Sequence, residues 1–126
     1  MSVDAERLKT MNRDVFVRSM KDKNIKLADS TRNKIIEFSL KNCTPTEKYI
    51  VIMEELSELI KETSKAARGE ADNMGILEEL ADVHICLSYL AILSGISSKE
   101  LNKAIDIKLM REFNRRNGGF LDKKSY

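Results

Sequence analysis

The chain has 126 residues, 42% hydrophobic and 33% charged, with one Pro, five Gly and a formal net charge of +2. That length suits a single domain with one core, and so small a net charge excludes electrostatics alone as a basis for binding nucleic acid or membrane. No stretch is long and apolar enough to span a bilayer and Met1–Glu6 carries no signal-peptide core, so a cytoplasmic protein is expected, with Cys43 and Cys86 as free thiols.

Few breakers among so much Glu, Lys, Leu and Ile predict an all-α chain, a bundle of four to five helices. Residues 1–126 read as one domain: N-terminal helices over 1–43, a core over 44–120 and a mobile tail over 121–126. Leu8, Met11, Val15 and Met20 line one side of a first helix over about 3–20, which Lys21-Asp22-Lys23-Asn24 breaks. A second helix starts at Asp29 or Ser30, either of which can cap it, and carries Ile35, Ile36, Phe38 and Leu40 to about Asn42. Thr44, Pro45 and Glu47 then spell a capping box with Pro in the first helical position. In the third helix Tyr49, Ile52, Met53, Leu56, Leu59 and Ile60 mark an apolar arc, and Gly69 ends it.

A fourth helix runs from Asp72 or Asn73 to Gly95 and is apolar almost all round from Val83 to Leu93. Such girth marks a central or interface helix, and at least a dimer is expected. The fifth helix opens with a second capping box, Ser97 and Glu100, and ends on Arg111, Arg115 and Arg116 before Asn117-Gly118-Gly119. Phe120-Leu121 are expected to tuck back onto the bundle.

The chemistry lies in the third and fourth helices. Residues three apart share a helix face, so Glu55 and Glu58 make one carboxylate pair and Glu79 and Asp82 another. A short break would fold the helices antiparallel and bring the pairs face to face. Glu79 and Asp82 head a stripe that continues into Cys86, Leu90 and Leu93, where unpaired carboxylates would cost several kcal/mol each. Solvated faces with ion pairs such as Glu58–Lys61 or Glu58–Lys65 explain many single acidic pairs, but two pairs on consecutive helices point to a shared cation. Oxygen-only ligands select Mg²⁺, Mn²⁺ or Ca²⁺. A di-iron bundle would need Glu-x-x-His, yet Asp82 holds that position and His84 points away from the acids, as a packed or hydrogen-bonded core residue. A calcium loop has no counterpart here. Mg²⁺ bound by a few carboxylates commonly completes its shell with the oxygens of a phosphorylated ligand.

Glu54-Glu55-x-x-Glu58 followed by Glu79-x-x-Asp82 resembles the MazG-type all-α nucleoside triphosphate pyrophosphohydrolases, whose superfamily includes dimeric dUTPases, dCTP pyrophosphatases and phosphoribosyl-ATP pyrophosphohydrolases. The similarity spans roughly 44–120. It implies a homodimer or homotetramer, Mg²⁺ (or Mn²⁺ in its place) on Glu55, Glu58, Glu79 and Asp82, and cleavage of an NTP or dNTP to the monophosphate and pyrophosphate. It also implies phosphate contacts from Lys108, Arg111, Asn114 and Arg115. Glu62, on the same side as Glu55 and Glu58, is the preferred helper for orienting the water or holding a second ion. The competing expectation is a non-catalytic helical adaptor or regulator that uses its apolar fourth helix for contacts. The cluster Arg111, Arg115, Arg116, Lys123 and Lys124 is too small to favour nucleic acid.

Overall fold

A computed structural model describes the backbone of residues 2–117 and the side chains of residues 7–116. It is all-α, with helices α1 (Ser2–Met20), α2 (Asp29–Lys41), α3 (Pro45–Ala67), α4 (Asn73–Leu93) and α5 (Ser98–Asn117), and no strand among the described residues. The expectations for Gly118, Gly119, Phe120, Leu121 and the tail lie outside the described residues.

The punctuation of the helices follows local chemistry. Thr44 Oγ1 accepts the Glu47 N–H while Glu47 reaches back to the Thr44 backbone, so α3 opens on a complete capping box with Pro45 in its first turn. Ser97 and Glu100 repeat the motif at α5. Gly69 leaves α3 at φ 78°, in the left-handed region that Gly enters without steric cost. At α2 the sequence reading needs correction. The residue in the N-cap position is Ala28, with no side-chain cap bond, and Asp29 is already helical. An acid in the first turn still favours the helix through the dipole.

The chain divides into two compact units, residues 1–90 and residues from 91 on. Within the first, the α3–α4 hairpin is antiparallel in a simple register. Lys48 Nζ stands 4.1 Å from the centre of the Tyr89 ring, Glu55 bonds Asp82, and Glu62 faces Gly75. Each step is seven residues up α3 and seven down α4, the spacing of a coiled-coil seam. A seam of that kind ordinarily carries apolar residues. Here three of its rungs carry Lys48, Glu55 and Glu62, and the buried hydrophobic residues are only Ile52, Val83 and Cys86 among the described ones.

Much of the expected apolar arc of α3 therefore stays uncovered in the single chain. Tyr49, Met53, Leu56 and Ile60 are exposed, as are Ile85, Leu87 and Leu90 on α4. No single helix among the described residues is long and apolar enough to cross a membrane.

Candidate functional site

Helical spacing and the antiparallel register together bring three carboxylates to one place. One oxygen each from Glu55 of α3 and from Glu79 and Asp82 of α4 lie within 4.8 Å of one another. Glu79 is buried, at 3% exposure, and its Oε2 has no hydrogen-bond partner among the described residues. Like charges this close in a poorly solvated seam favour their protonated forms. Burial foremost, then the charges of Asp82 and Glu79, push the Glu55 carboxyl up to about 7. Burial and the Asp82 charge raise Glu79; burial and the Glu78 charge raise Asp82, against which the Glu55 hydrogen bond acts. All three carboxyls are thus raised together, with Glu55 and Asp82 linked by a hydrogen bond.

Glu58, the fourth expected ligand, stands apart from this trio. Lys9 of α1 donates to its Oε2 at 2.5 Å and Lys61 to its Oε1 at 3.4 Å. The Lys9 hydrogen bond is the main cause that holds the Glu58 carboxyl below its ordinary range. Glu62 is buried as well, with Oε1 3.5 Å from Lys65 and Oε2 without a hydrogen-bond partner among the described residues. Lys65 therefore pairs with Glu62, not with Glu58 as one sequence alternative had it. Glu62 looks toward Gly75, where a Cβ would stand only 2.9 Å from its Oε2.

The residues that sequence reasoning missed are cations. Arg13 Nε donates to Glu78 Oε1 at 2.5 Å, while its Nη atoms lie 3.5 Å from Asp72 and 3.6 Å from Glu79. Its side chain is only 18% exposed. Gly75 makes the room, because a Cβ there would meet Arg13 Nη1 at 2.7 Å. Lys9 and Arg13 are four apart, hence on one face of α1, and that basic pair was the available signal. Lys48 was missed too. It is buried, donates to Ser39 Oγ at 2.8 Å and covers the Tyr89 ring.

Other expectations fall elsewhere. His84 is exposed, a correction to its reading as a core residue. It lines an open groove of about 780 Å³ between α2 and α4, with Arg32, Asn33, Ile36, Ile85 and Ser88. The opposite outward turn follows from register, since Asp82, Cys86 and Tyr89 take the seam and leave position 84 off it. Cys86 is buried as a packing residue, and burial raises its thiol pKa. Lys108, Arg111, Asn114 and Arg115 all lie on α5, in the second unit, whereas the acid cluster is built wholly within the first. Arg115 pairs with Glu112, which Arg116 also reaches at 2.8 Å.

The donor set fits a hard divalent cation: three converging carboxylates, all oxygen, with a buried Glu79 oxygen that no other described residue satisfies. The raised carboxyls also set a pH dependence. Between the ordinary Glu value of 4.5 and about 7, native Glu55 binds more proton than the unfolded chain does, so metal-free stability falls as pH rises through that window. Glu58, being lowered, loses its contribution only below the ordinary carboxylate range, outside that window. In EDTA the melting temperature is expected to be lower near pH 8 than near pH 5.5, and MgCl₂ to raise it chiefly at the higher pH. A melting temperature that climbs with pH in EDTA would contradict the crowding of these acids.

Compared with protein-family models, characterised proteins and solved structures, the chain matches none.

Proposed function

We propose that the protein is a Mg²⁺-dependent nucleoside triphosphate pyrophosphohydrolase of the MazG-like type, converting an NTP or dNTP to its monophosphate and pyrophosphate in a cytoplasmic nucleotide pool. The observation that carries this reading is the convergence of Glu55, Glu79 and Asp82 in the seam of an antiparallel helix pair, with a buried oxygen on Glu79 that is unsatisfied among the described residues. An ordinary solvated acidic face would hold its carboxylates apart in water.

Glu55, Glu79 and Asp82 would hold Mg²⁺, or Mn²⁺ in its place, with Glu58 as fourth ligand by the motif. The ion's contribution, when bound, is to offset the triphosphate's charge and to acidify a water. With its carboxyl pushed up to about 7, Glu55 would be partly protonated near neutral pH in the free site and would lose that proton on binding a cation. Hydrolysis adds one water across the α–β anhydride bond, so the products are NMP and pyrophosphate. Lys108, Arg111, Asn114 and Arg115 are assigned to the phosphates by the resemblance alone. Glu62 is better read as a counter-charge for Lys65 and Arg13 than as the residue that orients the water, because it is buried, pairs with Lys65 and its charge acts on Arg13.

A homodimer or homotetramer belongs to the same proposal. Its support is the exposed apolar surface of the single chain, including Phe38 at 69% and Ile60 at 68%. That surface equally favours the second reading, a helical adaptor whose acid cluster no longer turns over substrate. A screen of pyrophosphate release over common and modified NTPs and dNTPs, with Mg²⁺ and with Mn²⁺, separates the two. Metal-dependent release from at least one triphosphate is expected, and silence across the panel leaves only the adaptor.

A further inference from the structure

Two cations on one face of α1 reach the acids, and they are held very differently. Arg13 is mostly buried, touches Asp72, Glu78 and Glu79, and sits in space that Gly75 leaves by having no Cβ. It is a fixture of the fold. Lys9 is 49% exposed and has one acid partner among the described residues, Glu58, itself 29% exposed. An ion pair so open to solvent is cheap to break. Yet while it stands, Lys9 and Lys61 each hold one oxygen of Glu58, and their charges compete with a cation for that carboxylate. The motif asks for four acids, and the trio lacks this one.

From this contrast we infer that Lys9 is an exchangeable counter-ion that withholds Glu58 from the acid trio until a divalent cation displaces it. Lys9 is thus a positioning residue: it sets when the fourth carboxylate joins, and Arg13 keeps α1 in place while it does. The inference rests on the metal reading above, but it concerns a helix that lies outside the stretch carrying the resemblance.

The test is a nucleotide-free Mn²⁺ titration of the full chain at fixed ionic strength, with free Mn²⁺ read by electron paramagnetic resonance. Lys9→Met keeps the aliphatic stem and removes the charge. It is expected to bind Mn²⁺ roughly two- to fivefold more tightly than wild type, the worth of an exposed ion pair expressed as affinity. Lys9→Arg should return to the wild-type value. In a Glu58→Gln background the Lys9→Met gain should vanish, since there is no carboxylate left to release. An equal gain in that background would show a general charge effect and overturn the inference. So would an unchanged or weaker affinity in Lys9→Met, although Mn²⁺ binding itself would still uphold the acid site. No Mn²⁺ binding by either protein would overturn the inference and the metal reading together.

Discussion

Asp82→Asn is expected to lower Mg²⁺-dependent pyrophosphate release by at least about a hundredfold, because loss of a mere outer-shell partner already costs about ten- to a hundredfold. The same change is expected to raise the melting temperature in EDTA. Both effects come from one fact: Asp82 stands beside Glu55 and Glu79 in a seam where burial and the Glu78 charge disfavour its ionised form. An amide of nearly the same shape relieves that repulsion and can bond Glu55, but it offers a cation no charge. A site kept at a cost in stability behaves in this way. Circular dichroism should stay helical, so lost turnover cannot be laid to unfolding. Retained turnover, or a lower melting temperature in EDTA, would place Asp82 outside the site.

Arg13→Met should be the most destabilising single change in the first unit outside the apolar core. Removing one partner of a largely buried ion network strands the others, at a cost of about 3 kcal/mol. For a chain of this size that is a fall in melting temperature on the order of 10 °C. The stranded groups are Glu78 and Glu79, beside a Glu62 oxygen that already has no hydrogen bond among the described residues. Arg13→Lys is expected to recover only part of the loss, because one ammonium cannot span the three acids that the guanidinium fork reaches. Thermal denaturation in EDTA measures both. A Met variant within about 0.5 kcal/mol of wild type would show the network to be a surface one.

Legibility in the sequence followed the kind of interaction. The helix boundaries at Thr44 and Ser97 and the exit at Gly69 were readable because caps and left-handed glycines act within a few residues. The meeting of Glu55 with Glu79 and Asp82 was readable because helical period and a short connection fix it. α1 was read by its apolar residues, and that was the wrong face to follow. Leu8, Met11, Val15 and Met20 are exposed, while the face that touches α3 and α4 carries Lys9 and Arg13. Hydrophobic periodicity is blind to a helix docked by charge. The burial of Glu62 and Lys48 likewise had no local signal, since it depends on Gly75 and Tyr89 standing opposite across the hairpin. Ala28 in the N-cap position of α2 shows a further limit: two good capping residues follow it, yet both are already inside the helix.

The claim on which the rest depends is that this acid seam cuts a triphosphate between its α and β phosphorus atoms. Phosphorus NMR of the products, after incubation with MgCl₂ and the best triphosphate from the screen, tests it most directly. The account predicts equal amounts of monophosphate and pyrophosphate in the presence of Mg²⁺ and intact substrate in EDTA. Orthophosphate with diphosphate, or no change with any triphosphate, would contradict it.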